Sequence, residues 1–265
     1  MNHLWHYDQC QSCGLVFVNP RPTPASLGKF YESYSQSMEG VSDSQRHKPV
    51  ASNANRRLIR EMLTVRSGPG RFLDVGSGLG GGSAAAVELG FTVTALEADI
   101  AHLNAVAQLP GVQTVHGLFE TFNPEPASFD YILMSHVLEH AHDPKAWITK
   151  AYQLLSPGGT LWILLPNFNS IYRRLWDTGD PYFIPPTHLN HFNPKSLPSL
   201  CKGAGLKVVL SRDEFALPRD VLSKRFNKAL APTIELLTSG IEACGKIGTR
   251  LIRSGPFLTV ACVKN

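Results

Sequence analysis

Residues 71–91 read RFLDVGSGLGGGSAAAVELGF: a short apolar strand, a turn of closely spaced glycines, then an alanine-rich helix that stops at Gly90. Residues 92–97, TVTALE, follow as a β-branched strand ending on Glu97, 21 positions after Gly76. Strand, glycine turn, helix and acid-ended strand together make a nucleotide-binding half-fold. Glycines let the backbone come close to a ligand at a helix N-terminus, and a carboxylate closing the second strand accepts hydrogen bonds from ribose hydroxyls. Such charge-assisted bonds contribute about 1.5–3 kcal/mol each.

Gly76, Gly78 and Gly81 also satisfy G-x-G-x-x-G, so a nicotinamide or flavin dinucleotide competes for this loop. Asp74 separates the two readings. A dinucleotide presents a pyrophosphate anion there, which a carboxylate two residues before the first glycine would oppose. S-adenosylmethionine offers an ammonium, a sulfonium and a ribose but no phosphate, so Asp74, the bare glycine turn and Glu97 form a coherent set for it. The loop also lacks the Gly-Lys-Ser/Thr ending of a P-loop.

FLDVGSGLG (72–80) with ALEAD (95–99) resembles motif I and the acidic strand end of class I S-adenosylmethionine-dependent methyltransferases. FDYILMS (129–135) followed by HVLEHAHDP (136–144), and then LLSPGGTLWILLPN (154–167), is similar in order and spacing to that family's fourth and fifth strands. The resemblance covers roughly residues 53–211. It implies an α/β, Rossmann-like, seven-stranded and mostly parallel sheet with helices on both faces and an antiparallel last strand. It further implies that Asp74 and the turn Gly76-Ser77-Gly78 hold the methionine end of the cofactor and that Glu97, with Ala98 after it, holds the ribose. Leu118, Ser135 and His136 would form the adenine side or the floor.

The rest of the chain fits that architecture. A helical pattern over 53–65 precedes the first strand, and strands are predicted near 71–76, 92–97, 112–116, 129–135, 159–165 and 206–211 with helices between them. Ligands of such sheets bind beyond the carboxyl ends of the strands, near the topological switch point, which puts Ser135 and His136 at the pocket rim. Residues 1–52, rich in turn formers, read as an irregular lead-in, 53–211 as the core, 212–255 as a helical insertion and 256–265 as the final strand. Within the insertion, apolar residues recur at helical spacing from 219 to 253. Between Arg212 and Gly255 stand eight Lys or Arg against five Asp or Glu. These helices pack on the sheet or a second subunit, form a lid, or make weak peripheral contact with an anionic membrane through 219–253.

His136-Val137-Leu138-Glu139-His140 matches the H-x-x-E-H signature of zinc peptidases. That chemistry needs both histidines on one helix face, whereas here a strand-like run precedes them and Pro144 follows within a turn. Residues 185–193, PPTHLNHFN, resemble the H-L-x-H-F stretch of a broad subgroup of small-molecule methyltransferases, where this loop faces the acceptor. Methyl transfer needs an acceptor atom in line with the sulfonium carbon and a group to take its proton. His140, His188 and His191 are the candidates, against the plainer alternative of histidines that cap turns. Cys10 and Cys13 resemble half of a zinc ribbon, with His3 and His6 available to complete four ligands, so the metal content stays open.

A chain of 265 residues, 43% hydrophobic and 17% charged, can bury a large core. It contains no run long enough to span a membrane and no signal-peptide layout at its start, so a cytoplasmic protein is expected. Five scattered cysteines argue for reduced thiols. A net charge of +4 with no basic patch around the site disfavours nucleic acid. The function expected is a methyltransferase that uses S-adenosylmethionine on a small acceptor, such as a sugar or a secondary metabolite. The alternative is a non-catalytic S-adenosylmethionine-binding or partner-binding protein on the same fold.

Overall fold

The structure, a computed structural model, describes residues 5–23, 26–27, 49–176, 180, 182–214 and 255–265. Seven strands form one sheet: β3 (Arg71–Val75), β4 (Thr92–Glu97), β5 (Gln113–His116), β6 (Phe129–Ser135), β7 (Leu155–Pro166), β9 (Lys207–Glu214) and β10 (Phe257–Val263). Their spatial order is β5-β4-β3-β6-β7-β10-β9. Neighbours are parallel from β5 to β7, whereas β10 runs antiparallel to both β7 and β9. The chain therefore winds outward from β3 to β5 and then returns to lay β6 on the other side of β3. That reversal is the switch point where such sheets bind ligands.

Helices cover both faces because the parallel strands are apolar on both sides. On one face α1 (Asn53–Val65), α2 (Gly81–Glu88) and α3 (Ile100–Val106) bury Ile59, Met62, Ala84–Ala86 and Val106 against Phe72, Tyr131 and Trp162. On the other, α4 (Pro144–Leu154) and α6 (Ser196–Gly203) bury Trp147, Ile148, Leu197 and Cys201 against Ile132, Leu161 and Val260. The short helix α5 (Ile171–Trp176) follows β7. Local chemistry sets the helix starts: Ser52 makes a reciprocal capping box with Asn55, Asp99 accepts from the backbone of Ala101 and His102, and Asp143 accepts from Ala146 just before Pro144.

At the amino end of β6, Asp130 gathers several donors. Its carboxylate accepts from Arg71 through side chain and backbone N–H, from Arg66 Nη2 at 3.1 Å and from Ser156 Oγ at 2.7 Å. The hydrogen bonds of Arg71 hold the Asp130 carboxyl well below the usual range. This clasp ties β3, β6 and the start of β7 at the end of the sheet opposite the switch point.

Two boundaries differ from the sequence expectation. The lead-in carries two short strands, β1 (Tyr7–Gln9) and β2 (Val16–Val18), which join β8 (Asn190–His191) in a separate antiparallel sheet of order β1-β2-β8. Three-residue strands are too short to show a period of two, so composition alone reads as irregular. The core also continues to Glu214 rather than 211, because β9 stays paired with β10 that far, Glu214 opposite Phe257. Of the insertion expected at 212–255, all but 212–214 and 255 lie outside the described residues, as do His3 and Cys244.

Candidate functional site

At the end of β3 the backbone turns through Gly76 and Gly78, both at positive φ (65° and 52°). A Cβ on Gly76 would lie 2.7 Å from Val137 Cγ2, so this position needs glycine for both conformation and space. At Gly78 nothing lies within 4 Å of the same point, which leaves the turn open on its outer side. The amides of Gly76 and Ser77 both donate to Leu96 O, joining the turn to β4.

Glu97 completes this corner. Its Oε2 accepts from Gly78 N at 2.7 Å, while Oε1 accepts from the amides of Ala98 and Asp99, each at 2.9 Å. A carboxylate has about four acceptor positions, so Oε2 keeps capacity for a further donor. The Ser77 hydroxyl is buried with no hydrogen-bond partner among the described residues. Three large apolar side chains stand uncovered just after β3, β4 and β5: Leu79 at 55%, Ile100 at 55% and Leu118 at 56% exposure. Leu118 was expected from the sequence; Leu79 and Ile100 were not, because an apolar residue in a loop carries no periodic signal.

Asp74 lies below the turn rather than beside it. It is 3% exposed, and its Oδ2 accepts from Ser83 Oγ at 2.7 Å in the first turn of α2. Burial pushes its carboxyl up to about 6, against the Ser83 hydrogen bonds that lower it and with a small upward push from Glu97. A cation above the glycine turn would favour the ionised form.

Across the switch point, β6 ends at Ser135. His136 follows at φ 56°, a conformation uncommon outside glycine and concentrated at functional sites. Its ring meets Phe257 edge-on at 5.1 Å, and its amide donates to Leu164 O at 2.7 Å. Residues 138–140 form a single 3₁₀ turn, so the peptidase-like histidine pair does not lie on a helix.

Residues 182–192 fold back over this turn. Leu189 N donates to Glu139 O at 2.9 Å, and Asn190 Nδ2 donates to Ala141 O at 2.7 Å. His140 and His188 meet edge-on with ring centroids 4.8 Å apart. Each points Nδ1 at a backbone carbonyl, Thr187 O at 2.8 Å and Tyr182 O at 2.9 Å, so the proton belongs on Nδ1 and the lone pair on Nε2. Burial lowers the basicity of His188. His191, 6% exposed among the rings of Tyr7, Phe168 and Phe183, is pushed down to about 3, chiefly by burial. A conjugate acid that strong makes His191 a poor proton acceptor at neutral pH.

Glu139 sits under both histidines at 2% exposure. Burial raises its carboxyl, but the contact with His136 and the charges of His140, His136 and His188 outweigh this and hold it below the usual range. The sequence offered it only as the middle letter of a histidine motif. The amino-terminal sheet closes the outer side: Arg21 donates to Asn190 Oδ1 at 2.8 Å and to the backbone oxygen of His142. Cys10 and Cys13 are free thiols, Cys10 lying 3.1 Å from Ser12 Oγ, and neither belongs to a metal-capable cluster among the described residues. No described helix is long and apolar enough to cross a membrane.

Glycine turn, acid-ended strand and switch point define a nucleoside-binding α/β protein. A family model described as a methyltransferase domain matches residues 44–211, more than half of the chain, and the chain belongs to that family. It is 31% identical over 152 residues to a ubiquinone biosynthesis O-methyltransferase of Xanthomonas euvesicatoria pv. vesicatoria, covering 52% of this chain and 63% of that one. A protein of the same description from Pseudomonas putida is 32% identical over 172 residues, 59% of this chain and 71% of the relative. The chain spans under two thirds of the length of the Xanthomonas relatives. Among solved structures, the fold matches a Burkholderia thailandensis 1,6-didemethyltoxoflavin-N1-methyltransferase with bound 1,6-didemethyltoxoflavin and S-adenosylhomocysteine. The TM-score is 0.58 and the identity 18%, over 98% of this chain and 99% of that one.

Proposed function

We propose that the chain is a methyltransferase that carries the methyl group of S-adenosylmethionine to a hydroxyl of a small acceptor, a sugar, phenol or other secondary metabolite. The observation that carries this reading is Glu97, whose carboxylate closes β4 while accepting from the turn amide of Gly78. S-adenosylmethionine supplies an electrophilic methyl on a positively charged sulfur. Glu97 Oε2 accepts from the ribose, the Ser77 hydroxyl meets the methionine end, and Leu79, Ile100 and Leu118 cover the adenine. Asp74, from beneath, adds negative potential that favours the ammonium and sulfonium.

On the other side of the switch point, Glu139, His140 and His188 face the acceptor. The acceptor oxygen attacks the methyl carbon in line with sulfur. The new C–O bond forms as the C–S bond breaks, sulfur keeps the electron pair, and the hydroxyl proton leaves through the histidine cluster to water. Orientation supplies much of the rate, with proton removal worth about 10²- to 10⁴-fold.

The test is calorimetric titration with S-adenosylhomocysteine and NAD in parallel, followed by label transfer from methyl-tritiated S-adenosylmethionine to a panel of sugars and phenols. Micromolar S-adenosylhomocysteine binding without NAD binding, then labelled product, is expected. Absence of S-adenosylhomocysteine binding would sink the reading. Binding without turnover on any acceptor would turn it toward the non-catalytic alternative.

A further inference from the structure

We propose that Glu139, His140 and His188 hold a divalent transition-metal ion that binds the acceptor oxygen. This rests on the acceptor-side assignment above, but not on the identity of the methyl donor. The three residues each offer a ligand atom, and these atoms all lie within 4.8 Å of one another. Two imidazoles and one carboxylate form a three-ligand set that suits zinc and its neighbours while leaving coordination positions open.

Two further features point to a cation. Both carboxylate oxygens of Glu139 are buried without a hydrogen-bond partner among the described residues; the ring nitrogen Nδ1 of His136 stands 3.7 Å from Oε1. A buried ionised carboxylate is costly unless it is paired or coordinates a metal. The histidines are also oriented as ligands. With Nδ1–H of each fixed on a carbonyl, Nε2 carries the lone pair, the outer arrangement common around metal-bound histidine.

Bond lengths near 2.1 Å would draw the ligand atoms to roughly 3–3.5 Å from one another, a closure of about 1 Å that side-chain rotation can supply. A cavity of about 10 Å³, the scale of one water or one ion, adjoins Glu139 and His188. His136 is absent from the set, so the ligands are the last two letters of the peptidase-like motif plus a histidine 48 residues on. With both Nε2 lone pairs on the ion, the two histidines act as ligands in place of a proton relay. The cation lowers the pKa of a bound acceptor hydroxyl, whose proton is released directly to water before the oxygen attacks the methyl carbon.

Untagged protein with Cys10→Ser and Cys13→Ser, stripped by chelator, is titrated with Co²⁺ and Zn²⁺ and its metal content measured. One ion per chain is expected. Glu139→Gln and His188→Gln should each weaken binding tenfold or more, while His142→Gln, an exposed histidine nearby, leaves it unchanged. S-adenosylhomocysteine affinity, measured on every variant, reports folding and keeps the methyl-donor reading separate. Co²⁺ spectra of the wild-type chain supply a second readout: visible d–d bands without near-ultraviolet thiolate charge transfer are expected. Folded, S-adenosylhomocysteine-binding protein that takes up no stoichiometric metal would overturn the proposal. So would uptake unaffected by both substitutions, or a thiolate band in the wild-type spectrum.

Discussion

Glu97 Oε2 and the amide of Gly78 are joined at 2.7 Å across 19 residues, so the carboxylate that closes β4 also fixes the turn that closes β3. Glu97→Ala removes the turn's anchor and the ribose acceptor together. We expect S-adenosylhomocysteine affinity to fall at least tenfold by calorimetry, with a loss of about 1.5–3 kcal/mol in unfolding free energy. Glu97→Gln retains one acceptor oxygen and should fall between the two. Unchanged affinity in Glu97→Ala would remove the residue from the cofactor site.

Asp74 gives the site a pH dependence of definite sign. Its carboxyl rises from 3.8 to about 6 on folding, chiefly through burial, so the folded state binds the proton more tightly than the unfolded chain. Its contribution to stability is therefore greatest below about pH 4, declines as pH rises toward 6 and stays constant above. The amplitude is about 3 kcal/mol. Asp74→Asn should flatten unfolding free energy between pH 4 and 6. Affinity for the cationic methionine end runs the other way, falling as Asp74 is protonated below pH 6. Titrations of wild type and Asp74→Asn at pH 5 and 7.5 check this; a wild-type affinity independent of pH would refute it.

The parts of the fold legible in the sequence were those with local signals. Apolar strands, the glycine turn and Asn53–Val65 each announce themselves within a dozen residues. β1 and β2 do not, since three residues reveal no period and their pairing with Asn190–His191 is decided far along the chain. β7 starts at Leu155, earlier than expected, because Ser156-Pro157-Gly158-Gly159 reads as a turn yet leaves Leu155 paired with Phe129 through an irregular register. Position in the sequence singled out Asp74 and Glu97 as candidates, but that Asp74 is buried against Ser83 while Glu97 holds the turn amide of Gly78 is a tertiary fact. Glu139 became notable only when 182–192 buried it.

Asp130 tests the opposite end of the sheet. With two arginines, a serine and a backbone amide on one carboxylate, Asp130→Asn should cost about 2 kcal/mol of stability and leave S-adenosylhomocysteine affinity unchanged. Because the wild-type carboxyl is held below its usual range, its stabilisation is present above about pH 4 and is lost as pH falls below that. Denaturant melts across pH 7 to pH 3 test this. The gap between the two proteins should begin to narrow below about pH 4 yet still be present at pH 3, because the folded carboxyl stays ionised well below its usual range. A gap unchanged across that span would place the effect in packing rather than charge.

Arg21 connects the amino-terminal sheet to the acceptor side. Its guanidinium spans Asn190 Oδ1 and the backbone oxygen of His142, with its plane near the Phe17 ring at 5.6 Å, a fork that lysine cannot reproduce. Arg21→Lys should therefore behave like Arg21→Ala. Both should loosen the 182–192 segment over Glu139 and His140, lowering the methyl-transfer rate tenfold or more while cofactor affinity stays within twofold. Hydrogen exchange should rise at Leu189, whose amide is bonded to Glu139 O, and remain unchanged in β3 and β4. If Arg21→Lys kept full activity, the amino-terminal sheet would be a covering for the core and not a wall of the acceptor site.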